Sequence, residues 1–150
     1  MQSISPRCRK AIELAIDSVH GLGQSNVASS HLILGLLLLK NGVATNILEK
    51  SGVTAEKVSN FLSGRPDPNE KLEVFLGFGL FQSAIETLKR AEQEAVAMSY
   101  SLTGTEHLLL SLLGEEKGEA NAVFSHFEVD RLTMRRIITD ELNQSNGIWK

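Results

Sequence analysis

Two stretches decide how this chain folds: Ala28-Ser-Ser-His-Leu-Ile-Leu-Gly-Leu-Leu37 and Gly104-Thr-Glu-His-Leu-Leu-Leu-Ser-Leu-Leu113. A shift of 76 residues lays one on the other, with His31 on His107. The same shift, without a gap, sets Ala15 on Ala91, Ser25 on Ser101, Gly42 on Gly118, Ala44 on Ala120 and Val53 on Val129. Residues 5–62 and 81–138 are therefore two copies of one unit. Self-similarity at a fixed period means that each copy is a supersecondary unit whose apolar face is covered by its neighbour.

Each copy predicts four helices. In the first, Ser5 is a good N-cap and Pro6 a good first helical residue. Ile12, Ala15, Ile16, Val19 and Leu22 follow helical spacing, and Gly21 and Gly23 end the helix. Ser29 is expected to cap the second helix, which carries His31 to Leu39 and breaks at Asn41 and Gly42. A short third helix covers about 44–50, and Thr54 caps a fourth that ends near Leu62. The second copy repeats the plan. Phe81, Ile85, Leu88, Ala91, Ala95 and Met98 form one stripe; Thr105 is the expected cap of the next helix, which stops near Gly114. A short helix covers about 120–127, and Asp130 caps the last, which runs to about Asn143.

Between the copies lies a connector, about 63–80. Its first half, Ser63-Gly-Arg-Pro-Asp-Pro-Asn-Glu70, is rich in breakers. Its second half, Leu72–Leu80, is apolar but carries Gly77 and Gly79, and reads as irregular and partly buried. The tail after Asn143 reads as loose and leaves Trp149 unexplained. A unit of this size has a thin core. Two units packed face to face predict an all-α fold, with two pseudo-symmetric four-helix repeats in a single domain over residues 1–150.

Composition narrows the function classes. The apolar share is 42% and the aromatic share 5%, so the core rests on Leu, Ile, Val and Ala, which favours helices. A net charge of −3 gives no footprint for nucleic acid or an anionic membrane. The lone Cys8 fits a reducing compartment. The first ten residues lack the apolar stretch of a signal peptide, and Leu32–Leu39 is far shorter than the ~20 residues a membrane span needs. The expected location is the cytoplasm.

Catalytic patterns are missing. No G-x-x-x-x-G-K-[ST] run can cradle a nucleotide's phosphates, and Gly77-Phe-Gly79 lacks the rest of a dinucleotide fingerprint. His31 and His107 occupy matching first turns, where structural hydrogen bonding is the expected role. His20 and His126 do not complete a metal set around them, so no metal or cofactor is expected. Cys8 stands between Arg7 and Arg9 near a helix start, which favours a thiolate, but a nucleophile needs a base and an oxyanion site as well. Glu106 either favours a helix dipole or faces a ligand. Phe75, Phe78 and Phe81 are expected to pack, and Arg135 and Arg136 to form a solvated face.

The paired His-Leu-(Leu/Ile)-Leu-(Gly/Ser)-Leu-Leu segments resemble the N-terminal repeat domain of Clp-family unfoldases of the ClpA and ClpC type. So do Ala91-x-x-x-Ala95, Gly104-Thr-Glu-His107 and the Ser5-Pro-Arg7 opening. The resemblance covers about residues 4–143. It implies an all-helical appendage on a ring ATPase that takes protein substrates and adaptor proteins and has no activity of its own. Without a P-loop, the chain is either a piece of a longer unfoldase or a stand-alone accessory subunit of a Clp assembly; its given length favours the second.

In ClpC-type members such a domain also docks phosphorylated arginine. That site uses a Thr at the start of each repeat's first helix and a Glu before the paired His. Here those positions hold Ser5 and Phe81, and Ser30 and Glu106. The first repeat keeps a hydroxyl without a carboxylate, and the second a carboxylate without a hydroxyl. Neither site is complete, which argues against recognition of the phosphorylated mark. The turns at Ser29 and Thr105 still offer backbone N–H groups to an anion or peptide.

Overall fold

The computed structural model describes the backbone of residues 3–149 and the side chains of residues 3–144. Within these residues the order is α1 (Pro6–Val19), α2 (Ser29–Leu39), α3 (Val43–Lys50), α4 (Ala55–Leu62), β1 (Leu72–Phe75), β2 (Phe78–Phe81), α5 (Gln82–Ala97), α6 (Thr105–Leu113), α7 (Glu119–His126) and α8 (Arg131–Trp149). The fold is all-α apart from one hairpin.

Local chemistry sets most boundaries. The Ser5 hydroxyl accepts from Cys8 N–H at 3.0 Å, and Thr54 and Asp130 cap α4 and α8 in the same way. Gly23 ends the first segment in the left-handed region at φ 78°. The N-caps of α2 and α6 are Ala28 and Gly104, one residue earlier than the expected Ser29 and Thr105. Neither has a capping oxygen. The histidine at the third helical position makes the reverse bond of a capping box: Ala28 N–H donates to His31 Nδ1 at 2.9 Å and Gly104 N–H to His107 Nδ1 at 3.0 Å.

Three further expectations are corrected. Leu72–Leu80 is not irregular: β1 and β2 pair antiparallel, Leu72 with Phe81 and Phe75 with Phe78. Leu76 and Gly77 form the two-residue turn, both at positive φ (55° and 83°), which matches the twist of the strands. The last helix does not stop near Asn143: the α8 backbone runs on to Trp149. Within it Leu142 is buried and its carbonyl accepts from the Tyr100 hydroxyl at 2.6 Å. Arg135 leaves the solvated face: it donates to Leu110 O at the C-terminal end of α6 and pairs with Glu94 at 3.2 Å.

The halves interlock with the reciprocity of a two-fold axis. Ile4 bridges Thr103 while its counterpart Leu80 bridges Val27, the counterpart of Thr103. Ser5 N–H donates to Thr103 O at 2.8 Å, and Phe81 N–H to Val27 O at 2.9 Å. Helix α1 packs on α6, and α5 on α2. One core runs through both copies, from Ile12, Leu32 and Leu36 to Leu108, Leu112 and Phe124, all fully buried. The crossing of α1 with α2 depends on Gly35: a Cβ there would lie 2.1 Å from Ala11 O. At the matching crossing Ser111 donates to Thr87 O at 2.7 Å.

Candidate functional site

Because the halves are interlocked, the start of each first helix faces the other copy. The starts of α1, α3 and α6 line one pocket of about 440 Å³, with Ser5 from the first repeat and Glu106 from the second on its wall. The grouping by repeat is thereby corrected. The hydroxyl position of one copy belongs with the carboxylate position of the other, so Ser5 and Glu106 share a site, and Phe81 and Ser30 fall to its symmetry mate.

The open site is electrostatically mixed. Three helix N-termini favour an anion. The Arg7 guanidinium lies at the rim, donating to Lys40 O at 3.1 Å and Asn41 O at 3.3 Å. Gly42 makes this possible, because a Cβ there would sit 2.8 Å from the guanidinium nitrogen. The Glu106 carboxylate accepts from the Thr105 hydroxyl at 2.6 Å and offers its remaining lone pairs to a cation. Tyr100, Leu102 and Val43 supply apolar walls, with Leu102 41% exposed. Of these lining residues, sequence reasoning picked out Ser5, Glu106 and the turn at Thr105; Arg7 figured only in the Ser5-Pro-Arg7 opening.

The buried thiol and imidazoles of the two halves are neutral at pH 7. Burial, aided by the nearby Glu106 charge and opposed by Arg9, pushes the Cys8 thiol up to about 12. The sequence suggested a thiolate; the structure gives a buried neutral thiol. Burial brings His31 and His107 down to about 4, so both rings are neutral at pH 7. Each Nδ1 accepts a backbone N–H, which leaves the proton on Nε2. In His31 that Nε2 meets Gln24 Oε1 at 2.6 Å, and Gln24 donates to Leu62 O and Arg65 O. Tyr100 replaces Gln24 in the second copy, its ring 4.6 Å from that of His107.

The symmetry mate is closed. The starts of α2, α5 and α7 are bonded to one another, Ser29 N–H to Ser83 Oγ and Ala120 N–H to Ser29 Oγ, each at 3.0 Å. Two of the chain's own carboxylates fill the anion positions. Glu70 accepts from Ser83 N–H at 2.7 Å, and Glu115 from Ala120 N–H at 2.8 Å and from the Ser29 hydroxyl. Burial raises the pKa of Glu115, against the pull of these donors and of Arg90. Phe81 and Ser30 are both buried.

The sequence pattern of the Clp repeat N-terminal domain matches residues 3–72 and again 80–148, one match per copy. The chain belongs to this family. Curated relatives include a probable ATP-dependent Clp protease ATP-binding subunit of Chlamydia pneumoniae, 26% identical over 97% of this chain and 17% of the relative. The ATP-binding subunit ClpC of Staphylococcus saprophyticus is 30% identical over 85% of this chain and 15% of its own. The chain thus spans about one sixth of the length of these relatives. Among solved structures, the N-terminal domain of the chaperone ClpD from Arabidopsis thaliana superposes with a TM-score of 0.76 at 18% identity, over 93% of this chain and 94% of the other. The Hsp104 N-terminal domain from Candida albicans gives 0.70 at 14% identity, over 91% and 89%. The all-α double repeat is therefore that of Clp and Hsp104 N-terminal domains. No single helix among the described residues is long and apolar enough to cross a membrane.

Proposed function

We propose that this domain docks protein substrates or adaptors for a Clp ATPase, through one site built across its repeats and with no catalysis of its own. The observation that carries the proposal is the meeting of Ser5, Arg7 and Glu106 at the starts of three helices around one pocket. A guanidinium suits Glu106, in a charge-assisted pair. A phosphate suits the helix starts and the Ser5 hydroxyl. A phosphorylated arginine carries both groups on one side chain, and the composite pocket supplies both partners, which supports that side chain as the docked mark. Its chemistry is recognition: Cys8 is protonated and the buried histidines are neutral.

The test is fluorescence anisotropy with a labelled peptide carrying one phosphoarginine, beside the same peptide with arginine or phosphoserine. The phosphoarginine peptide should bind most tightly, and Glu106→Ala should weaken it about a hundredfold. Equal binding of all three peptides, or binding indifferent to Glu106→Ala, would overturn the proposal.

A further inference from the structure

Val43 lines the docking pocket and also the end of a second hollow of about 290 Å³, between α3 and α8. Asn46, Ile47 and Ile137 line it as well, with Lys50, Ser51 and Glu141 at its far end. Val43 and Ile137 are 37% and 45% exposed, large apolar side chains left open beside the site.

The matching position in the other half shows what a covered groove looks like in this fold. Ile137 corresponds to Phe61, Lys50 to His126, Ser51 to Phe127 and Glu141 to Arg65. There Phe61 stacks on His126 at 4.3 Å and meets Phe127 at 6.1 Å, with Arg65 over Phe61 at 4.7 Å. Packed aromatic rings, with Phe61 and Phe127 half-buried, stand there in place of Ile137 and Ser51. The half with the open N-terminal pocket thus also has the open groove, and the half with the sealed pocket has an aromatic cluster in its place.

Resting on the docking reading above, we infer that the α3/α8 groove is a second subsite of the same docking site, taking an apolar side chain of the segment held in the pocket. Continuity through Val43 makes that segment the occupant. The eight residues of α3 span about 12 Å, a length that an extended chain covers in about four residues. Val43, Ile47 and Ile137 supply the apolar wall, so the subsite takes an aliphatic side chain, while Lys50 and Glu141 stand at its far end. The docked class is a short extended segment with its charged mark in the pocket and a leucine-like residue about three or four positions away.

The test uses the ¹⁵N-labelled chain and three short phosphoarginine peptides. One has serine at every other position; the others carry a single leucine, about four residues before or after the mark. One leucine peptide should bind about tenfold more tightly than the serine peptide and shift the amide signals of Val43, Asn46 and Ile47. Ile137→Glu should remove that advantage and leave the serine peptide's affinity unchanged. If the Glu106 signal moves but neither leucine helps, or the advantage survives Ile137→Glu, the groove is not a subsite while the pocket stands. If no peptide moves Glu106, the pocket reading falls and the subsite with it. A shift at Ile137 that grows with protein concentration alone would assign the groove to a second copy and overturn the inference.

Discussion

The two N-terminal clusters start from the same architecture and end in opposite states. Around α1, α3 and α6, helix starts, Arg7 and Glu106 face an open pocket. Around α2, α5 and α7, the equivalent starts are tied together and capped by Glu70 and Glu115. The difference comes from few substitutions. Phe81 in place of a serine and Ser30 in place of a glutamate remove the polar pair, and Ser83 in place of an arginine bonds Ser29 rather than reaching outward. The fold is two-fold symmetric while its surface is one-sided, and the side with fewer accessible groups has more internal bonds.

The largest expected effect tests what the halves share. His31 and His107 are neutral in the fold, at about 4, against an ordinary value of 6.5. Above pH 6.5 neither state binds the extra proton and the stabilisation is complete. As pH falls from 6.5 towards 4, the unfolded chain takes up a proton that the folded chain refuses. Stability should then fall by about 3 kcal/mol per histidine. Urea melts across this range should show midpoints dropping with acid, and a double His31→Leu, His107→Leu variant should have a flatter profile. A flat profile in the native chain would contradict the account.

The helix crossings distinguish the halves next. Gly35→Ala drives a Cβ into Ala11 O and should cost about 3 kcal/mol or more. Ser111→Ala, at the matching crossing, loses one hydrogen bond and should cost about 1 kcal/mol. Equal losses in thermal melts would mean that the crossings are packed alike. The cap is as small an effect: Ser5→Ala should cost about 1 kcal/mol of stability while also weakening docking. Phe81→Ala, the buried counterpart, should cost about 3 kcal/mol and leave docking unchanged. Melting and anisotropy on the same variants separate the two outcomes.

Much of the fold was legible in the sequence because helix signals are local. The stripe from Ile12 to Leu22, the caps Ser5, Thr54 and Asp130, and the breakers Gly42 and Gly114 each act within a turn or two of their own position. The hairpin was missed because its turn uses Leu76-Gly77 rather than an asparagine or aspartate pair, and the glycines looked like breakers alone. The capping histidines hid the true starts of α2 and α6, since Ser29 and Thr105 are better caps by type. The site was half legible. Ser5 and Glu106 were visible as residues, but their pairing depends on which copy's first helix lies beside which copy's second. An internal repeat is silent on that point, because both arrangements bury the same stripes. The cross-strand bonds of Ser5 to Thr103 and of Phe81 to Val27 decide it.

The central claim is that one composite pocket, and not two repeat-wise sites, does the docking. Isothermal titration of the chain with a phosphoarginine peptide tests it most directly. The account predicts a single site per chain, weakened about a hundredfold by Glu106→Ala and untouched by Ser30→Ala. Two sites per chain, or binding lost with Ser30→Ala and kept with Glu106→Ala, would contradict it.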